Sequence, residues 1–339
     1  MPSVLKRRKP KFPLILVKDV KKYISSCAIL NDVTWLSSHL DSQYIIWSSH
    51  PTILSISKTE LNTNPTTISC CTLKESLSYA RSLVNENKNI LIIAGAGCST
   101  DCKDEHGNNL PDYRSSGVPV REELDDPALF LSNPSLIWGI YTDKMKLFLN
   151  GIPHQGYEIM FKYLKNSDKN FYVMTSNIDC QFSKSGYKHI YECHGALNRL
   201  QCCDLKCKQP IWNINSINDF KYYTCETCKK IARPNVSMHM DTNLTYNNTI
   251  STKQKRNLLK WIKNRNNLLI IEIGCGQSIH SLRLESDYLL EKYPSTTKLV
   301  RINNSKDEQN FITDKIVSIQ CTAEQAMCDI FSDTVNLKL

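Results

Sequence analysis

Five short apolar runs do most to limit what this chain can fold into. Residues 90–94, 171–175, 268–273, 298–302 and 316–320 are strand-length, largely Ile, Leu and Val, and each gives way to glycine or polar residues. A strand that is apolar on both sides must be covered on both faces. Segments with helical spacing lie between the runs, at 157–165, 253–263 and 282–292, with another at 73–84 before them and one at 322–331 after them. The alternation predicts an α/β protein with a parallel sheet and helices on both faces. Such sheets bind ligands at the carboxyl ends of their strands. No apolar run approaches the roughly 18 residues that span a bilayer, so no membrane partner is expected.

The residues that follow the runs are where chemistry is expected. Gly95-Ala96-Gly97-Cys98-Ser99 follows the first run, and Gly274-Cys275-Gly276-Gln277-Ser278 follows 268–273. Glycines there let backbone amides approach a pyrophosphate. One such turn is often only a tight turn; two in a single parallel sheet predict a dinucleotide site. Thr175-Ser176-Asn177-Ile178-Asp179 closes the run 171–175. Asn177 can orient a ribose or a water and Asp179 can accept from an amide or a sugar hydroxyl; the plainer reading is an Asx turn. In Glu192-Cys193-His194-Gly195, His194 is either a general base suited to neutral pH or a satisfied polar residue. Pro111-Asp112-Tyr113-Arg114 puts an acid, an aromatic ring and a guanidinium in one loop, or is an ordinary turn.

Fifteen cysteines in 339 residues need an explanation. Cys202 and Cys207, followed by Cys225-Glu226-Thr227-Cys228, have the spacing of a tetrahedral thiolate zinc site, with Cys203 as an alternative to Cys202. Four thiolates leave no open coordination position, so such a zinc would be structural. No apolar signal segment precedes a small-residue cleavage site, and a reduced, intracellular protein is expected. The net charge is +9, most of it in the first 22 residues, where Lys6, Arg7, Arg8, Lys9 and Lys11 are among eight basic side chains against one acid. The near-neutral remainder disfavours a uniformly basic nucleic-acid binder. The tail itself reads as a solvated terminus, an import-receptor address favouring the nucleus over the cytoplasm, or a nucleic-acid contact. A mitochondrial presequence is the weaker alternative, since Pro10 and Pro13 break an amphipathic helix.

In their order along the chain, GAG-x-S, PDYR, TSNID, CHG and the two cysteine pairs converge on one family, supported by Arg233-Pro234-Asn235-Val236, GCG-x-S and Arg301-Ile302-Asn303. From about Leu73 to Ile330 the chain resembles the sirtuins, the NAD-dependent protein deacylases. His154-Gln155-Gly156-Tyr157 and residues 232–240 and 271–276 resemble a branch common in bacterial and protist genomes. The resemblance implies a Rossmann-like parallel sheet plus a small zinc-ribbon module. Residues 1–70 would be a basic extension and 71–335 the catalytic domain, its large part at 71–200 and 233–335 and its zinc module at 201–232.

It also implies roles. Gly95, Ala96, Gly97 and Ser99 would line the pyrophosphate of NAD, and Asp112, Tyr113 and Arg114 would cover the nicotinamide ribose. Ser176, Asn177 and Asp179 would lie at the nicotinamide, with Asp179 holding its carboxamide. Gly274, Gly276, Asn303 and Cys321 would hold the adenosine half. His194 would be the general base, with Asn177 and Asp179 beside it. Cys202, Cys207, Cys225 and Cys228 would hold zinc. Val236, Met238 and His239 would meet the acyl-lysine protein. The products would be nicotinamide, free lysine and O-acyl-ADP-ribose.

Four departures stand out. Residues 103–107 are inserted into what would be the cofactor loop. Ser176 replaces a glutamine, Cys180 replaces a glycine, and His239 replaces a glycine in the substrate strand. Three functions therefore remain in view: a deacylase, an enzyme that passes ADP-ribose to a protein or to water, and a non-catalytic NAD-binding module.

Overall fold

The computed structural model describes residues 69–111, 126–204, 206–214, 217, 222–238, 241, 250–276, 281–293 and 295–332. The basic tail, nearly all of the extension, Asp112, Tyr113, Arg114 and His239 lie outside them.

Eleven strands and eight α-helices are described, in this chain order. β1 is Ser69–Cys70, α1 Leu73–Glu86, β2 Asn89–Ala94, α2 Leu129–Ser132, α3 Pro134–Asn150, α4 Gln155–Asn166 and β3 Asn170–Thr175. Then come α5 Gln181–Lys184, β4 Ile190–Glu192, β5 Gly195–Cys202, β6 Trp212–Asn213, β7 Ala232–Val236 and α6 Ile250–Lys263. The remainder is β8 Leu268–Ile273, α7 Ser281–Lys292, β9 Thr297–Ile302, β10 Phe311–Ile312, β11 Ile316–Ile319 and α8 Ala323–Phe331.

The main sheet runs β1-β10-β11-β9-β8-β2-β3-β4, and its six strands from β11 to β4 are parallel. Numbered by their order in the chain, these six lie 3-2-1-4-5-6 across the sheet, the order of a dinucleotide-binding fold. The order reverses between β2 and β8, and a ligand crevice opens at such a point.

Alternation along each strand assigns the two faces. Ile90, Ile92, Ile271, Ile273, Val300 and Ile302 join the core with residues of α1, α4 and α8. Glu272 and Arg301, one residue out of phase, point the other way and pair with Arg283 and Asp287 of α7. Helices thus cover both faces, as the largely apolar runs require.

The helices begin where their sequence directs. Thr72 and Glu75 form a reciprocal capping box at α1, with Thr72 N–H donating to Glu75 Oε2 at 2.7 Å and Glu75 N–H to Thr72 Oγ1 at 3.2 Å. Asn133 caps α3 and Pro134 takes its first position, where its missing N–H costs nothing. Thr322 caps α8.

A second, antiparallel sheet, β6-β5-β7, carries the cysteine cluster. Its strands Gly195–Cys202 and Ala232–Val236 reach beyond 201–232 on both sides. Trp138 of α3 donates its Nε1–H to Ala232 O at 3.1 Å, docking α3 on this sheet.

The inserted residues 103–107 form the tip of a small hairpin. Lys103 bridges Asn109 and Ile152, Leu110 N–H donates to Cys102 O at 2.7 Å, and Asp104 Oδ1 accepts from the amides of His106 and Asn108. Cys102 and Leu110 are buried beneath it, so the insertion projects outward from a fixed base.

Candidate active site

β2, β3 and β8 end in register: Ala94 pairs with Thr175 on one side and Ile273 on the other. The segments that follow them are therefore delivered to one place. The two glycine turns meet backbone to backbone. Gly95 N–H donates to Ile273 O at 2.9 Å and Gly97 N–H to Gly274 O at 3.0 Å. A Cβ on Gly95 would lie 2.6 Å from Gly274 O, and one on Gly97 2.9 Å from Gly274 Cα. These glycines exist for that close approach. Gly276 differs: it is exposed, with nothing within 4 Å of a built Cβ.

A cavity of about 240 Å³ opens beside these turns. Gly97, Gly274, Asn303 and Cys321 line it, as does the cap residue Thr322; Thr100 and Asn304, which the sequence did not single out, also contribute. Asn303 is fixed by its Nδ2–H, which donates to Cys275 O at 2.9 Å. Asp101 Oδ2 accepts from Glu324 N–H at 2.9 Å, tying the first turn to the start of α8 and closing one wall.

On the other side of Gly95 lies a buried polar network. Asn177 Nδ2 donates to Gly95 O at 3.0 Å and to Ser99 Oγ at 3.1 Å, and its own amide donates to Thr175 Oγ1. Asp179 accepts from Gln181 N–H at 3.1 Å. Burial pushes the Asp179 carboxyl up, while the Ser99 hydroxyl and the Gln181 amide favour its ionised form. Ser176 is half-buried, its amide donating to Ala94 O.

Cys180 follows at φ +64°, a left-handed conformation costing a non-glycine residue roughly 1–2 kcal/mol. Glycine in the family pattern thus has a backbone reason. Here the thiol is buried, and burial with the charges of Glu192 and Asp179 raises it to about 12.

His194 stands in the two-residue joint between the sheets. β4 ends at Glu192 and β5 starts at Gly195. Cys193 N–H donates to Thr175 O and Leu197 N–H to Ile178 O, both at 2.9 Å, so the joint lies along the Asn177–Asp179 segment. His194 is half-buried, and its carbonyl accepts from Ser237 N–H at 2.9 Å. Gly195 has φ +79°, and a Cβ there would fall 1.9 Å from Asn235 O. Val236 and Met238 bury their side chains, so only their backbone is available to a substrate.

The sequence passed over the clamp behind the joint. Glu192 and Arg199, both buried, form an ion pair, and Gln254 of α6 donates to Glu192 Oε2 at 3.1 Å.

In the small sheet the ligand atoms of Cys202, Cys207, Cys225 and Cys228 all lie within 4.8 Å of one another. The Cys202–Cys228 and Cys207–Cys225 sulfur distances are 3.4 and 3.7 Å. A zinc tetrahedron with bonds of about 2.3 Å has edges of about 3.8 Å, so the tetrad fits one zinc ion. Lys229 at φ +60° turns the chain so that Cys225 and Cys228 face inward, and the Lys230 amide draws the Cys228 thiol down to about 7. Cys203 is outside the tetrad, which decides for Cys202. Purified protein is expected to carry about one zinc per chain by elemental analysis. Cys225→Ser should lose metal and fold together and Cys203→Ser should keep both, because ligation of a structural zinc is coupled to folding. A folded, metal-free wild-type preparation would contradict this.

Comparison with known proteins agrees with this geometry. Residues 95–263 match the model of the Sir2 family. An NAD-dependent protein deacetylase of Bacillus cereus is 27% identical over 246 residues, covering 70% of this chain and 91% of the relative. An NAD-dependent protein deacylase of Aquifex aeolicus is 30% identical over 155 residues; the match covers 44% of this chain and spans 61% of that protein. Among solved structures, a Sir2 homologue–NAD complex superposes with a TM-score of 0.55 at 18% identity, covering 75% of this chain and 92% of the other.

Proposed function

The chain belongs to the Sir2 family, and from that premise we propose that it is an NAD-dependent protein-lysine deacylase with His194 as its general base. The observation that carries the reading is the flush ending of β2, β3 and β8, which sets the paired glycine turns and the cavity on one side and Ser99, Asn177 and Asp179 on the other. A dinucleotide spanning that switch point has its adenosine half against Gly97, Gly274, Asn303 and Cys321. Its pyrophosphate lies at Gly95, Ala96 and Gly97, and its nicotinamide faces Asn177 and Asp179. NAD supplies an electrophilic anomeric carbon, and the products are nicotinamide, free lysine and O-acyl-ADP-ribose.

The chain's part is positioning and proton transfer. Asn177, fixed by two donated hydrogen bonds, orients the ribose, and Asp179 accepts from the carboxamide. His194 takes a proton from a ribose hydroxyl. Zinc held by Cys202, Cys207, Cys225 and Cys228 would brace the small sheet on which the joint depends. The acyl-lysine segment runs along the backbone of β7, which is an edge strand of its sheet.

The altered substrate strand, with His239 in place of the family's glycine, favours one competing reading, in which the chain cleaves NAD and passes ADP-ribose to another protein or to water. Mass spectrometry after incubation with NAD, with and without an acetyl-lysine peptide, separates the two. The expected result is peptide-dependent nicotinamide and O-acetyl-ADP-ribose, with product formation in His194→Ala reduced about 10²-fold or more. Nicotinamide without deacylation, for acetyl and longer acyl chains alike, would establish the competing reading instead.

A further inference from the structure

The motif His154-Gln155-Gly156-Tyr157 has no role in the reading above, yet its tyrosine reaches the centre of the site. Tyr157, on α4, is wholly buried. Its hydroxyl lies 3.1 Å from Ser99 Oγ and 3.3 Å from both Cys98 O and Cys98 Sγ. His154 Nε2 lies 3.1 Å from the same Cys98 carbonyl, and its ring packs on that of Tyr157 at 4.6 Å. One turn of α4 therefore grips the end of the Gly95–Ser99 segment.

Ser99 has one proton and two lone pairs. Ser99 is also a partner of Asp179, where its hydroxyl favours the ionised form of the carboxyl that burial pushes up. The Asn177 amide donates to one lone pair at 3.1 Å. The Tyr157 hydroxyl is a further partner at 3.1 Å, in a bond that either oxygen can donate. Three side chains thus hold the Ser99 hydroxyl. Without the tyrosine hydroxyl one of these holds is gone, and the partner that Asn177 and Asp179 share is less tightly placed.

We propose that Tyr157 is a positioning residue that, through Ser99, holds Asn177 and Asp179 in the orientation that receives the nicotinamide of NAD. The assignment rests on the placement of nicotinamide given under Proposed function. The molecule supplies its own control. Tyr187 is also buried in this aromatic cluster, 5.1 Å from Phe182, and donates its hydroxyl to the Tyr157 carbonyl at 3.1 Å without touching Ser99. Tyr157→Phe and Tyr187→Phe each delete one buried hydroxyl and keep the ring.

Calorimetry on the full chain, zinc bound, with NAD and with ADP-ribose, tests the idea without requiring turnover. ADP-ribose differs from NAD in carrying a hydroxyl where NAD carries nicotinamide. Tyr157→Phe is expected to weaken NAD about three- to tenfold, the scale of one neutral hydrogen bond, and to leave ADP-ribose unchanged. Tyr187→Phe should leave both unchanged. If Tyr157→Phe weakens NAD and ADP-ribose equally, or neither, the role is structural and the proposal is wrong. A wild-type protein that does not bind NAD more tightly than ADP-ribose also overturns it. Failure of the deacylase reading would show separately, as intact NAD discrimination with no O-acyl-ADP-ribose formed from an acyl peptide.

Discussion

Gly274→Ala is expected to destabilise the protein by more than about 3 kcal/mol and to abolish dinucleotide binding. The residue sits at φ +62°, and a Cβ there would lie 2.1 Å from Cys98 N and 2.3 Å from Gly97 C. Both are backbone atoms, so no rotamer change relieves the clash. The two turns would have to separate, and the Gly97–Gly274 hydrogen bond and the cavity wall they form would go with them. Gly276→Ala, two residues on, is the matched control and should stay within about 0.5 kcal/mol of wild type, since a Cβ there has open space. Urea unfolding and NAD titration of the pair would decide it. Equal behaviour of the two variants would mean that the turns do not meet as described.

The second large effect is expected at the Glu192–Arg199 clamp. Arg199→Met removes the cation from a buried carboxylate and should cost about 3–5 kcal/mol. The loss comes mainly from the charge left behind. Adding Glu192→Gln removes that charge and keeps an acceptor for Gln254, so the double variant should regain most of the stability. A double-mutant cycle in urea measures this directly; additive losses would show that the pair is not coupled. Because Glu192 precedes the joint by one residue, the single variant should also lose deacylation under the proposed function, and the double variant should restore it.

What the sequence made legible follows from what each element buries. β8 matches the apolar run 268–273 at both ends, and β2, β3, β9 and β11 match theirs to within one residue, because a strand covered on both faces must be largely apolar. β7 gave no such signal. It reads Ala232-Arg233-Pro234-Asn235-Val236 and is nonetheless fully buried, since Arg233 pairs with Asp241 at 2.6 Å and Asn235 donates to Gln201 Oε1 at 2.6 Å. Satisfied polar groups hide a buried strand from any hydropathy pattern. α3 was missed for the opposite reason. It is apolar on most sides, contains Gly139, and touches both the core and the small sheet, so no single stripe stands out. Asn133-Pro134 at its start was the usable signal.

At the site, the glycine turns and the cysteine tetrad could be read because their spacing reflects a local demand. Cys202 rather than Cys203 could not, because one residue decides which way a side chain points from β5 and only the sheet fixes that. Tyr157 and the Glu192–Arg199 pair act across 58 and 7 residues of chain, and nothing in either local sequence announces the partner.

The place where the zinc-bearing sheet leaves the main one has a consequence for how the chain can vary. After β4 the backbone must in any case travel from one margin of the parallel strands back past β3 and β2 to reach β8. A long connection is obligatory there. Lengthening it further costs only about 0.6 kcal/mol per doubling. Among the described residues, the connections inside the segment between β4 and β8, outside the joint, β7 and the cysteine tetrad, are therefore the places most tolerant of insertion. The link from β2 through its glycine turn has no such latitude, because its length sets where Ser99 meets Asn177. A permissive tether and a fixed one thus leave the two strands that flank β3 in the same parallel array, and grafts aimed at altering the partner protein belong on the first.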